Sequence, residues 1–297
     1  MRKSKRERAD YHLHSECSDG MNTVEEVIDL AFQAEMRAIA ITDHNYFTLT
    51  KKRTVVQDGD FIEVFPACEF STSYTVPGNG KTVEVHVIGI WPNAVDPEQF
   101  SDILQAPVKG RMEYIKAMIE QLKLLGIEVS LEDVKREQKS TGYIGRQQLC
   151  DVLVREGYAE SREEAMDRYV GNDSPYYINP VNYVSFYEFS QVVERIKQAK
   201  GYPVLCHVFY YNLEHSETEA LIKTFAEVCG GEGALEVFYE RYLGEPEKMK
   251  FLQEMAEKYH LEASIASDRH LPDEHFATGG STEDCRKMME AIKRSAF

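Results

Sequence analysis

Asp10-Tyr11-His12-Leu13-His14-Ser15-Glu16-Cys17-Ser18-Asp19-Gly20 joins a short apolar run to a polar loop. Read as a strand, Ala9–His14 puts residues i and i+2 on the same side, so His12 and His14 project together. Two adjacent imidazoles suit a single metal ion, and Asp19 adds a carboxylate just beyond the strand. One His-x-His is a weak signal, because a polar strand end can carry one for no chemical reason.

The pattern recurs along the chain. Thr42-Asp43-His44 ends the run Ala38–Thr42, Glu69 lies in Ile62–Ser71, His86 in Val83–Trp91, and His207 in Pro203–Val208. Asp268 and His270 follow Ala263–Ala266, and Ala234–Tyr239 makes a seventh strand candidate. Ionisable groups inside apolar strands are costly unless paired or metal-bound. Helical patterns alternate with these strands. Thr23 and Glu26 form one capping box and Ser185 and Glu188 another, while Ser216–Cys229, Glu245–Tyr259 and Thr282–Arg294 are amphipathic. The alternation predicts an α/β fold with parallel strands, whose C-terminal ends converge on one rim. From Pro97 to Pro180 no strand is evident, and Arg111–Leu125, Gly145–Glu156 and Ser161–Val170 read as helices. We therefore expect a barrel in two parts, 1–97 and 181–297, with a helical insertion at 98–180 over its mouth.

The 297 residues are 43% hydrophobic and carry a formal charge of −16. That charge disfavours extended duplex nucleic acid, and no long apolar run suggests a membrane partner. The basic start MRKSKRERAD has no apolar stretch behind it, so it reads as a solvated lead-in rather than a signal peptide. Six scattered cysteines without a CxxC pair fit reduced thiols in a cytoplasmic protein. Strand parity places Cys68 and Cys206 on the side away from the ligands. Asp10 and Asp43 are expected to orient histidines. Arg269 is expected in a surface salt bridge, and His215, His260 and His275 outside the cluster. Nothing in the sequence fixes the oligomeric state.

Together DYHLHSECSDG, TDH, CEF, VHVIG, LCH and SDRH resemble the motifs of the PHP (polymerase and histidinol phosphatase) family. The resemblance implies a distorted (β/α)7 barrel holding two or three divalent ions (Mn, Zn or Fe) and hydrolysing phosphoesters. It implies His12, His14, Glu69 and Asp268 on one ion, Glu69, His86 and His207 on a second, and Asp19, His44 and His270 on a third. Asp268, Glu69 and His207 then form the catalytic core, and a metal-bridging hydroxide attacks the phosphorus. The net charge of such a centre is about +3, enough to draw in a phosphate dianion. The segments IGRQQL, LVREGY and EAMDRY resemble the insertion of members that cleave nucleoside 3′,5′-bisphosphates and short oligoribonucleotides. Those members commonly have Gly-Arg-Pro-His, where this chain has Gln147 and Gln148. They commonly have a second acid at Asn45, and a glycine at Leu271.

Arg146, Arg168 and Tyr210 are the substrate-binding candidates, the arginines because a guanidinium fork matches phosphate oxygens. Arg168 also has a rival partner in Glu164. Arg111 has a weaker claim, its rival role being simply to begin a helix; Tyr211, like Tyr210, could line the mouth. The expected activity is hydrolysis of a small phosphomonoester, a nucleotide such as a nucleoside 3′,5′-bisphosphate. Alternatives are 5′→3′ exoribonuclease action on short oligonucleotides, a phosphatase of a non-nucleotide metabolite such as histidinol phosphate, and a non-catalytic metal-binding module.

Overall fold

The computed structural model describes residues 6–57, 59–138 and 143–296; residues 1–5 of the basic lead-in lie outside them. Its strands are β1 (Arg8–Leu13), β2 (Met36–Ile41), β3 (Arg53–Gln57), β4 (Asp60–Thr75), β5 (Thr82–Ile90), β6 (Tyr202–Leu205), β7 (Ala234–Tyr239) and β8 (Glu262–Ala266). They form one sheet ordered β1-β2-β4-β5-β6-β7-β8, with β3 paired to β4 off this path. Beyond β8 the chain returns beside β1. There Asp268 N–H donates to the His12 carbonyl (2.9 Å) and His14 N–H to the Arg269 carbonyl (3.1 Å). The seven-strand path is thus a nearly closed barrel of the expected α/β class.

Two features depart from the expectation. The strands are not all parallel, because β5 runs antiparallel to both β4 and β6. Pro77-Gly78-Asn79-Gly80 turns β4 directly into β5, with Gly78 and Gly80 at φ +92° and +72°, a conformation that favours glycine. His86 therefore comes from the middle of a reversed strand. The second departure is β3, a mostly exposed strand antiparallel to β4.

Side-chain alternation sorts the strands into two faces. Ala38, Ala40, Phe65, Ala67, Ile88, Ile90, Tyr202 and Val204 share the inner cluster. On the outer face Ile39, Ile41 and Val64 pack on α1 (Val24–Gln33). Val85, Val87, Leu205, Leu235 and Val237 pack with residues of α6 (Phe189–Gln198), α7 (His215–Cys229) and α8 (Pro246–Tyr259). Strands covered on both faces read as apolar runs, which is why the sequence revealed them. Thr23 and Glu26 cap α1 as expected. Ser185 does not cap α6; that helix starts after Glu188, whose N–H bonds Gln191 Oε1 (3.3 Å).

Ile90 and Tyr202 are register partners, so the segment between them leaves and rejoins the sheet at neighbouring points. It holds α2 (Ser101–Leu124), α3 (Leu131–Arg136), α4 (Arg146–Arg155) and α5 (Arg162–Ala165), the last followed by a π-helical turn over Met166–Val170. α2 begins at Ser101 rather than Arg111 and carries Pro107 within it. Ile115, Met118, Leu122, Leu149, Leu153 and Val170 give these helices an apolar cluster of their own. At Gly110 in α2 a Cβ would run into the Tyr183 carbonyl oxygen and lie 2.6 Å from Val184 Cα. Backbone cannot swing aside as a side chain can. Gly110→Ala is therefore expected to destabilise by about 1–3 kcal/mol in denaturant unfolding, although alanine is the better helix former. An unchanged midpoint would remove this contact from the packing argument.

Candidate metal centre

The loop after β1 is fixed before any chemistry begins. Asp43 accepts from Ser15 N–H (2.8 Å), Ser15 Oγ (2.6 Å), Ser18 Oγ (2.6 Å) and Thr48 Oγ1. Asp10 accepts from the backbone N–H groups of Ala277 (2.9 Å), Ser267 (3.1 Å) and His12 (3.3 Å). The expectation that these two acids orient imidazoles is corrected: both brace backbone and loop hydroxyls. Burial lifts the Asp10 carboxyl to about 6 against those donors. The acid that orients a histidine is Glu236, which the sequence reading missed. Its Oε1 lies 2.6 Å from His12 Nδ1 and its Oε2 accepts from His207 N–H (2.8 Å). His270 Nδ1 lies 2.8 Å from the Asp268 carbonyl oxygen. At His12 and His270 the contact occupies Nδ1 and leaves Nε2 facing the centre.

His12 Nε2, His14 Nε2, Glu69 Oε2 and Asp268 Oδ1 converge. His12 and His14 are 3.1 Å apart, each is 3.3 Å from Glu69, and Asp268 is 3.3 Å from His12 and 3.1 Å from His14. Donors about 2.0–2.1 Å from a tetrahedral ion stand about 3.3 Å from one another, so His12, His14 and Asp268 are spaced to share one divalent cation, with Glu69 at the same distance from both rings. The other Glu69 oxygen lies 2.7 Å from His86 Nδ1 and 3.1 Å from His207 Nε2. Asp19 lies 3.5 Å from His44 Nε2 and 3.3 Å from His270 Nε2. All nine expected ligands thus meet at one end of the barrel. His14 also reaches the Asp19 group, and His44 the Glu69–His86 group.

The electrostatics fit a cationic occupant. Burial opposes the charged form of Glu69, Asp268 and Asp19, yet neighbouring imidazoles hold all three below the ordinary carboxylate range. Burial also opposes protonated His14 and His86, but Asp268 and Glu69 lift His14 to about 10, and Glu69 with Glu84 lifts His86 to about 9. Burial keeps His44 below its ordinary value. Glu69 Oε2 is 2.9 Å from His44 Nδ1 and 3.3 Å from two other ring nitrogens, yet has no hydrogen-bond partner among the described residues. A buried oxygen crowded by nitrogens it does not bond is what a shared cation would satisfy.

The centre opens into a cleft lined by Arg111, Arg146, Arg241, Glu84, Tyr143, Gln147, Tyr210 and Tyr239. Arg146 opens α4 and bonds Asn172 Oδ1. The same Asn172 amide donates from Nδ2 to the Tyr210 carbonyl, and Tyr210 lines the cleft too. Arg168 does not reach the cleft; it pairs with Glu164 (2.6 Å) on an exposed face. Arg111, the weaker candidate, lies inside α2, lines the cleft and bonds Ser71 Oγ (2.7 Å). Tyr211 is buried, bridging the Cys206 carbonyl (2.8 Å) and His86 N–H (2.9 Å). Arg269 is buried rather than at the surface, bonding Asn22 and the Pro272 and Glu274 carbonyls. His215, His260 and His275 are exposed. Gln148, in place of the expected family histidine, donates to the Ser18 carbonyl (3.4 Å), and Arg162 to that of Asp19 (3.1 Å). These two side chains tie the inserted helices to the ligand loop.

A family model described as PHP domain matches residues 10–262. The 3′,5′-nucleoside bisphosphate phosphatase of Chromobacterium violaceum is 26% identical over 96% of this chain and 95% of its own length. The 5′-3′ exoribonuclease of Escherichia coli is 26% identical over 89% of this chain and 85% of its own length. A solved structure described as an amidohydrolase from Chromobacterium violaceum, with bound sulfate, covers 96% of both chains at 25% identity and a TM-score of 0.75.

Proposed function

The chain belongs to the PHP domain family and is a metal-dependent hydrolase of phosphoester bonds; from that premise we propose that it removes a phosphate from a small nucleotide carrying two phosphates, a nucleoside 3′,5′-bisphosphate. One observation carries this reading: three arginines from different elements line the cleft beside the ligands, Arg111 from α2, Arg146 from α4 and Arg241 from the turn after β7. In a protein of charge −16, three guanidinium groups around one centre suit a substrate with a second anionic group beyond the one being cleaved.

Bound divalent ions supply an activated water and neutralise phosphoryl charge. His12, His14, Glu69 and Asp268 would hold one ion, Glu69, His86 and His207 another, and Asp19, His44 and His270 a third. The remaining side chains bind and orient. Arg146, its fork set by Asn172, grips phosphate oxygens with Arg111. Burial opposes the charge on Glu84, but His86 and Arg111 outweigh it and hold the carboxyl at about 2; ionised, it stands 3.5 Å from the Arg111 guanidinium and holds it by charge. Burial raises the Tyr143 phenol, which keeps its proton and can donate to a substrate oxygen. Tyr239 Oη donates to Asp268 Oδ2 (2.8 Å) and aims that carboxylate.

The test is a panel assayed with Mn²⁺, Zn²⁺ and Fe²⁺: a nucleoside 3′,5′-bisphosphate, the 3′- and 5′-monophosphates, 5′-phosphorylated dinucleotides and histidinol phosphate. The bisphosphate should show a kcat/KM at least about tenfold above either monophosphate, one charge-assisted contact being worth that much. Equal use of histidinol phosphate would overturn the nucleotide reading. Faster cleavage of dinucleotides would favour the second reading, exoribonuclease action, which rests on the activity named for the Escherichia coli relative. Arg146→Ala should raise KM about 10- to 100-fold with kcat little changed, the pattern of a lost ground-state contact. An unchanged KM would take Arg146 out of the site.

A further inference from the structure

Cys206 stands where the strand-parity reading did not expect it. β6 sends Tyr202 and Val204 inward, and Cys206 follows them into the inner cluster, fully buried. The following residue, His207, takes a left-handed φ of +23°. Alternation along Tyr202, Val204 and Cys206 thus carries the thiol inward, and the turn at His207 brings that imidazole to the same side, so it is His207 rather than Cys206 that breaks the alternation. Cys68 keeps the alternation and packs outside the barrel with Phe70.

The sulfur therefore lies on the floor of the metal centre. Donor atoms of His12, Glu69, Cys206 and His207 all lie within 4.8 Å of one another. The Cys206 thiol makes a weak contact to the Val204 carbonyl (3.7 Å). Independently of the thiol, two atoms of this group are buried without a hydrogen-bond partner among the described residues, Glu69 Oε2 and His207 Nδ1. Two imidazoles, a carboxylate and a thiol form a donor set suited to borderline-soft divalent ions.

We infer that Cys206 is a sulfur ligand of the ion that Glu69 and His207 would hold with His86, and that it biases this position toward zinc or ferrous iron over manganese. Coordination forms a metal–sulfur bond and releases the thiol proton to water. The inference rests on the reading that the centre binds divalent ions, and the experiment separates the two. The stripped protein is loaded with Co²⁺, bound cobalt is measured by elemental analysis, and the near-ultraviolet spectrum is recorded. The wild type should show an intense sulfur-to-cobalt charge-transfer band. Cys206→Ser and Cys206→Ala should lose it while keeping their cobalt, and should lose zinc affinity about tenfold or more with manganese affinity unchanged.

Full cobalt content without the band in the wild type would overturn the sulfur ligand and leave the metal centre standing. So would a band that persists in both variants. Failure of the wild type to bind cobalt, zinc or manganese would overturn both readings. Absence of the band from the wild type would overturn the sulfur ligand even if neither variant folds.

Discussion

Glu69→Gln is expected to reduce turnover at least about a thousandfold and to lower the bound metal per chain, with the fold intact by circular dichroism. Glu69 is fully buried. One of its oxygens is 2.7 Å from His86 and 3.1 Å from His207; the other is 2.9 Å from His44 and 3.3 Å from His12 and His14. A single carboxylate thus joins two donor groups, and its charge is held in place by the rings around it. Glutamine has nearly the same shape, so packing is preserved. Its amide offers one acceptor and no charge, so it cannot serve two ions. Activity within tenfold of wild type at full metal content would remove Glu69 from the centre of the chemistry.

The second large effect concerns the metal-stripped protein. Burial works against protonation of His14 and His86, but the carboxylates around them move both from an ordinary 6.5 to about 10 and about 9. A histidine whose folded value is raised contributes stability fully below its unfolded value and loses it as pH climbs through the folded one. The stripped protein should therefore lose several kcal/mol, and its Tm should fall steadily, between about pH 7 and pH 10. At the acid end the sign reverses. Glu69, Asp268, Asp19 and Glu84 are held low, so their contribution is lost as pH drops below the ordinary carboxylate range. Loading with metal replaces the histidine protons, so the alkaline slope should vanish, and calorimetry at pH 7–8 should detect proton release on binding. Calorimetric and thermal scans of stripped and loaded protein check both parts. A Tm of the stripped form that is flat from pH 7 to 10 would contradict the charge pattern described for this cluster.

What the sequence made legible, and what it hid, follows from the range of each interaction. Seven strands were readable because helices cover their outer faces and leave apolar runs. The nine ligands were readable because ionisable groups are too costly in such runs without a partner. β3 was hidden because its exposed face carries polar residues like any loop. The direction of β5 was hidden in its own pattern, which is the same whichever way the strand runs. The clue lay in Pro77-Gly78-Asn79-Gly80, a turn short enough to demand a hairpin. Glu236 carried the same signal as Glu69, an acid in an apolar strand, and was overlooked. Arg241, Tyr143 and Glu84 could not be read at all, and Arg111 only as a weaker candidate. They meet only because α2, β5 and the turn after β7 close on one cleft, and no local pattern records that meeting.

His207 and Asp268 hold φ values of +23° and +55°, where a side chain costs about 1–3 kcal/mol of backbone strain. Glycine would relax both positions at once. Pressure for a sturdier molecule and pressure for turnover therefore pull these two codons in opposite directions. In a lineage released from turnover, they are the places where glycine would spread first, making them an early marker of a retired enzyme.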